Sequence, residues 1–321
     1  MKRRDFIAKG IGAGVMAGAS YPLLANEELE GMESVQPDTN KEALAPSGKL
    51  PYFWDRLTSP DFKIAVGEAK GVCIIPIGVL EKHGAQLPLG TDVIRAREMC
   101  RRAAEQEYCI VYPDFYVGQI FEAKQQPGTV AYSTELMLKM LDETCREIAR
   151  NGLKKIILVN THGGNNSFLP YFLQIQMESP RDYAVFLFQL REEADTQAKI
   201  RALRKSTAGG HADEIETGEM LVICPEHVRM DQTTTISGRD MGRLSHLKNV
   251  TTGISWYSRY PNHYAGEAQG ATAELGEVRL TSRSAQLAEA VKVIKADDTT
   301  IRLQNEFFQQ GESPLTTKTW D

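Results

Sequence analysis

This chain of 321 residues lacks a cysteine pairing pattern, a surplus of basic residues and any apolar run long enough for a membrane span. Its five cysteines, Cys73, Cys100, Cys109, Cys145 and Cys224, are scattered with no CxxC spacing, and their odd number argues against a disulfide framework. Cys73, Cys109 and Cys224 sit in apolar runs, which reads as buried thiols. A formal charge of −5 argues against nucleic acid or an anionic membrane as the main partner. The apolar stretch at residues 10–19 is too short and too glycine-rich for a transmembrane helix. No internal repeat or dominant low-complexity tract interrupts a composition of 42% hydrophobic and 25% charged residues, so a large core is expected.

The first residues read as an address. A basic segment with Arg3-Arg4 before Phe6 precedes the glycine- and alanine-rich run and Tyr21-Pro22-Leu23-Leu24-Ala25. That is the layout of a cleavable export signal over residues 1–25, and the paired arginines resemble a twin-arginine signal. A Sec signal or a retained anchor has a similar layout. Without these residues the formal charge moves from −5 to −8. The expected localisation is periplasmic or otherwise exported, with the twin-arginine machinery as a partner and no membrane span in the mature form. Residues 26–50 are polar and aperiodic, a flexible spacer.

From residue 51 to 321 a single α/β domain accounts for the pattern. Apolar β-branched runs at 72–79, 109–113, 154–160 and 184–190 alternate with helical periodicities at 92–107, 134–150, 167–177 and 192–205. Strands that are solid apolar runs predict a mainly parallel sheet flanked by helices, three layers in all. Another helix is expected to begin at His211 and run to Pro225, then a glycine-rich loop over 266–276 and one long helix over 282–308.

Potential metal ligands gather where these runs break into glycine. Glu81 and His83 follow the first strand and share a side if the segment is extended. Asp92 returns after Pro88 turns the chain. His162 follows the strand ending at Val159, before Gly163-Gly164. His211 and Glu214 are spaced as one helical turn. Imidazoles with carboxylates suit Zn²⁺, Mn²⁺ or Fe²⁺ better than Ca²⁺ or Mg²⁺. His227, His246 and His263 have no nearby acidic partner at suggestive spacing.

Five motifs in order give the chain a resemblance to the creatininase (creatinine amidohydrolase) family. They are Glu81-Lys-His83-Gly-Ala-Gln-Leu-Pro-Leu-Gly-Thr-Asp92, Pro127-Gly128-Thr129, Asn160-Thr-His162-Gly-Gly-Asn165, His211-Ala-Asp-Glu214-Ile-Glu216-Thr217 and Ala271-Thr-Ala-Glu274-Leu-Gly276. The resemblance implies two divalent ions per chain, Zn²⁺ foremost with Mn²⁺ or Fe²⁺ as options. Glu81, Asp92 and His162 would hold one ion, and His83, Asp92 and a further glutamate the other, with Asp92 bridging. In creatininase that glutamate lies two residues after the histidine matching His162, where this chain has Gly164; Glu214 is assigned instead. His211 matches a catalytic histidine, and Glu122 is a second candidate for proton transfer. Gln86, Asn165 and Glu216 are expected to orient ligands or face substrate.

The implied activity is a hydrolase in which a metal-bridging hydroxide attacks the carbonyl of a cyclic or linear amide, a small-molecule substrate with a non-peptide C–N bond. The same site could instead open an oxidised cyclic polyol or a lactone, or serve a non-catalytic metal- or solute-binding protein. Gln86, Ala123 and Gly210 replace residues usual in creatininase, so creatinine itself is not the expected substrate. The resemblance also implies a homo-oligomer, a hexamer built from dimers.

Overall fold

The computed structural model describes residues 50–320; the export signal and nearly all of the spacer expected from the sequence lie outside the described residues. Four strands form one wholly parallel sheet: β1 (Val72–Ile77), β2 (Ile110–Val111), β3 (Lys155–Asn160) and β4 (Ala184–Leu187), in the order β2-β1-β3-β4. Ile74 pairs with Val111, Ile75 with Leu158 and Ile157 with Phe186.

Successive residues of a strand face opposite sides, and here both sides are covered. Cys73, Ile75, Ile77, Ile156 and Leu158 pack against α1 (Ser59–Glu68), α3 (Thr134–Arg150) and α4 (Asn165–Ile175), through Ala65, Met137, Leu141, Ile148 and Phe172. Val72, Ile74, Ile157 and Val159 face α2 (Thr91–Gln106) and α8 (Ala273–Ala296), through Met99, Ala103, Leu287 and Val291. This three-layer α/β arrangement explains why the strands read as solid apolar runs rather than alternating ones. Ser133 starts α3 by accepting the Leu136 N–H at 3.3 Å.

α5 (Ala194–Leu203) and α6 (Glu214–Ile223) pack on α8, and the short α7 (Ser255–Arg259) covers the carboxyl edge of the sheet near residue 263. The helix expected over 282–308 is two helices, α8 and α9 (Thr299–Gly311). Asp297 ends the first and starts the second, its Oδ1 accepting the N–H groups of Thr299 and Thr300 at 3.0 and 3.3 Å. The expected glycine-rich loop also stops early, because Thr272 caps α8 and Gly276 lies inside it. Among the described residues no helix is long and apolar enough to cross a membrane.

The strand order sets the position of the site. From β1 the chain crosses through α2 to β2 on one side, then through α3 to β3 on the other. The carboxyl ends of β1 and β3 therefore diverge into separate loops, the switch point at which open α/β sheets bind ligands.

Candidate metal centre

β1 runs into a loop that places Glu81 and His83, and α2 begins as that loop ends. Gly78 is required at the crossing: a Cβ there would lie 2.5 Å from the Val93 amide nitrogen. The Glu81 N–H donates to Leu89 O at 3.0 Å, and the Thr161 hydroxyl donates to Asp92 O at 2.7 Å, tying the β1 and β3 loops to the start of α2. Asp92 stands in the first turn of α2, where the helix dipole favours a carboxylate.

Glu81, Asp92 and His162, all buried, bring three donor atoms to within 4.8 Å of one another. His162 Nδ1 lies 2.8 Å from Glu81 Oε1 and 3.1 Å from Asp92 Oδ2. Those two oxygens nevertheless accept no aligned hydrogen bond. The other oxygen of Asp92, Oδ1, is 3.3 Å from His83 Nε2. His83 in turn groups with His211 and Glu216 as a second donor set. Asp92 thus divides its two oxygens between two sets.

Backbone carbonyls decide which ring nitrogen each histidine offers, since a carbonyl only accepts. His83 Nδ1 faces Glu81 O at 3.2 Å, so Nε2 is left for the cluster. His162 Nε2 faces Gln119 O at 2.7 Å, leaving Nδ1. His211 Nε2 faces Lys82 O at 2.8 Å, again leaving Nδ1. Such outer contacts orient ligating imidazoles. Gly164 makes room for one of them, since a Cβ there would stand 2.5 Å from His162 Nε2 and 2.5 Å from Gln119 O.

Glu214 does not join the cluster. Its carboxylate turns away and accepts the N–H groups of Lys205 and Ser206 at 2.8 and 2.7 Å. A helical turn joining His211 to Glu214 would need a helix through His211, but α6 starts at Glu214 with Asp213 as its cap. His211 is instead extended, bridged to Ala265. Glu216, two residues on and so on the opposite side of the helix, approaches His83 and His211. Its Oε1 accepts from Arg95 at 2.8 Å and its Oε2 from the Ala212 N–H at 2.6 Å.

Gln86 does not face substrate. It is buried and donates to Ala212 O at 2.7 Å, joining the first loop to the His211 loop. Ala123 is buried as well, whereas Gly210 lines the cavity. Asn165 accepts the Gln119 N–H at 2.9 Å and donates to Asn160 Oδ1 at 3.1 Å, bracing the His162 loop. Glu122 lines the cavity, its Oε2 held by Gln119 at 2.9 Å. All five cysteines are buried and free, and none joins a donor set.

The residue that sequence reasoning missed is His263. It is buried, hydrogen-bonded to Glu81 Oε2, and groups with Glu81 and His211. No local spacing signals it, because its acidic partner is 182 residues away. Only the turn-forming Pro261-Asn262 before it marks a loop position.

The electrostatics are those of a site that binds cations. Burial opposes charge on Glu81, His83, Asp92, His162, His211 and Glu216, yet opposite charges prevail on each of these but His211. His211 and His162 hold Glu81 well below the usual carboxylate range. Asp92, joined by Glu81, raises His83 to about 9, and Glu81 and Asp92 raise His162 well above its ordinary value. For His211 burial prevails and the pKa falls, so the ring is neutral at pH 7. Unpartnered carboxylate oxygens beside proton-attracting imidazoles, with mixed nitrogen and oxygen donors, fit divalent transition-type ions. A cavity of about 870 Å³ opens onto the cluster, walled by Trp256, His263, Leu187, Phe188 and Arg283.

A family model described as "Creatininase: Creatinine amidohydrolase" matches residues 55–291. The creatinine amidohydrolase of Pseudomonas putida is 25% identical over 194 residues, 56% of this chain and 75% of that protein. The 3-dehydro-scyllo-inosose hydrolase of Thermotoga maritima is 24% identical over 220 residues, 63% of this chain and 70% of that protein. Among solved structures, one described as "Creatininase Mn" superposes with a TM-score of 0.65 at 20% identity, covering 77% of this chain and 99% of that one.

Proposed function

We propose, from the premise that this chain belongs to the creatininase family, that it is a metal-dependent hydrolase whose dinuclear centre cleaves the C–N bond of a cyclic or linear amide. The observation that carries this reading is the divided carboxylate of Asp92, one oxygen toward His162 and the other toward His83. Glu81, Asp92 and His162 would hold one ion, and His83, Asp92 and Glu216 the other.

Bound there, two divalent ions, Zn²⁺ or Mn²⁺, would polarise a carbonyl and bring the pKa of water to roughly 7. The chain's own residues do the rest. Neutral His211, fixed by Lys82 O with its Nδ1 free, takes a proton and delivers it to the departing nitrogen. Asn165 and Gln119 keep the His162 ring in place. Glu122 stands at the cavity wall as a second proton carrier or as an anchor for substrate.

Metal analysis of protein purified without chelators tests the centre: about two ions per chain are expected, and none after reconstitution with Zn²⁺ or Mn²⁺ would refute it. In His211→Ala, metal is retained while turnover falls about 10²–10⁴-fold. Unchanged turnover would remove His211 from the mechanism. A second reading, opening of an oxidised cyclic polyol or a lactone, draws support from the relative named for 3-dehydro-scyllo-inosose. Side-by-side turnover of amide, lactone and cyclic-ketone panels separates the two.

We further propose twin-arginine export, supported by Arg3-Arg4 ahead of the glycine-rich run. Changing both arginines to lysine would keep the protein in the cytoplasm. Exposed Val293, Leu303 and Phe307 on α8 and α9 support a homo-oligomer, which sedimentation would reveal.

A further inference from the structure

His263 has two possible parts to play. Its donor atom lies within 4.8 Å of those of Glu81 and His211, close enough for a third metal position or an added ligand. The alternative is that it donates a hydrogen bond to Glu81 and ligates nothing. Its own second neighbour discriminates between them.

That neighbour is Trp256, whose Nε1 lies 3.1 Å from His263 Nδ1. An indole N–H donates and never accepts. His263 Nδ1 must therefore accept, so it carries no proton, and the ring's single proton sits on Nε2. Nε2 is the atom that meets Glu81 Oε2. Nε2–H has no lone pair for a metal. His83, His162 and His211 each rest one nitrogen on a carbonyl and turn the other to the cluster. His263 alone rests on a donor, which reverses the outcome.

We infer that His263 is a positioning residue, a hydrogen-bond donor that fixes Glu81, and that Trp256 excludes it from metal ligation by setting its tautomer. His263 takes up Oε2 of Glu81 and leaves Oε1 directed at His162 Nδ1. The backbone holds the ring to this task. His263 has a left-handed φ of 52°, its N–H donates to Tyr260 O at 3.0 Å, and its carbonyl accepts the Gly84 N–H at 3.3 Å. Ring contacts close the arrangement: the His211 ring meets that of His263 edge to face at 4.5 Å and lies tilted 4.3 Å from that of His83. The centre therefore takes two ions and not three.

The assignment rests on the metal reading of the cluster, but its first test does not. In metal-free protein with ¹⁵N-labelled histidine, His263 is expected to show a protonated Nε2 and a bare Nδ1. A protonated Nδ1 would overturn the assignment. Trp256→Phe should abolish that signature, and an unchanged spectrum would remove Trp256 from its role. The second test is zinc titration against a competing chelator. His263→Ala should weaken one of the two ions about 10–100-fold, and His263→Gln, which keeps an N–H donor, should recover most of that loss with two ions at saturation. An extra ion in the wild type that His263→Gln lacks would make His263 a ligand and defeat the inference. If the wild type binds no zinc, the metal reading fails while the nitrogen spectrum still decides the tautomer.

Discussion

Glu81, His83, Asp92 and His162 stand where two adjacent parallel strands and one helix begin or end, while His211, Glu216 and His263 arrive on a loop, a helix start and a turn. The first group inherits its geometry from the sheet. A slip of one residue between β1 and β3 would invert two buried faces, so the core itself enforces the spacing of those side chains. The second group is held by a few hydrogen bonds: the His211–Ala265 bridge, Gln86 to Ala212 O, and Glu216 to Ala212 N–H. One half of the site is rigid by burial and the other by pairwise contact. Damage to the second half should therefore cost function before it costs the fold.

The sharpest way to break this contrast is Asp92→Asn, which removes the carboxylate that both halves share. Metal content should fall from about two ions per chain to near zero in plasma emission, with the thermal midpoint little changed. Glu216→Gln comes next. One ion should be retained and the other weakened beyond the 10–100-fold typical of a lost outer contact, measured by chelator competition. Retention of both ions would return the second position to an unidentified ligand.

Acid stability probes the support beneath Glu216. Glu219 is buried, and although burial opposes it, Arg95 and Arg279 lower its pKa to about 2. A depressed carboxylate adds stability above its unfolded pKa of about 4.3 and loses it as pH falls toward the folded value, a term on the order of 3 kcal/mol. Urea midpoints of the wild type should therefore drop between about pH 4.3 and pH 2, and in Glu219→Gln that acid limb should flatten.

Gln86→Ala removes the bond to Ala212 O and the bond from the Ala85 N–H, leaving Ala212 O with the Thr217 hydroxyl at 3.3 Å alone, at a cost of about 1–3 kcal/mol for the two bonds. Turnover should fall while the ion held by Glu81, Asp92 and His162 remains. The smallest effect is Glu214→Gln, which gives up charge on the bonds from Lys205 and Ser206 for about 1–2 kcal/mol. Both ions should stay, in contrast to Glu216→Gln two residues away. Equal metal loss in the two variants would erase the distinction between them.

Most of the strand-end half was legible because its signals are local. An apolar run ending in glycine, followed by Glu81 and His83, marks a strand and the loop beyond it without reference to anything distant. The three-layer parallel fold was legible for the same reason, through unbroken apolar strands and the amphipathic 134–150 helix. What failed was whatever depended on where a helix starts. The resemblance points to Glu214, and a helical turn from His211 would put the two side by side, whereas Asp213 caps the helix one residue before Glu214. The 282–308 helix was joined across Asp297, whose side chain caps the next helix instead.

The sequence by itself determined the sheet, the family and the residue types of the site, because periodicity and motif order are properties of neighbouring residues. Tertiary structure alone decided which glutamate enters the cluster, that Gln86 ties two loops together, and that His263 and Trp256 belong to the site at all. Those outcomes depend on groups that meet across more than a hundred residues, Gln86 with Ala212 O and His263 with Glu81, and on which atom of each pair donates.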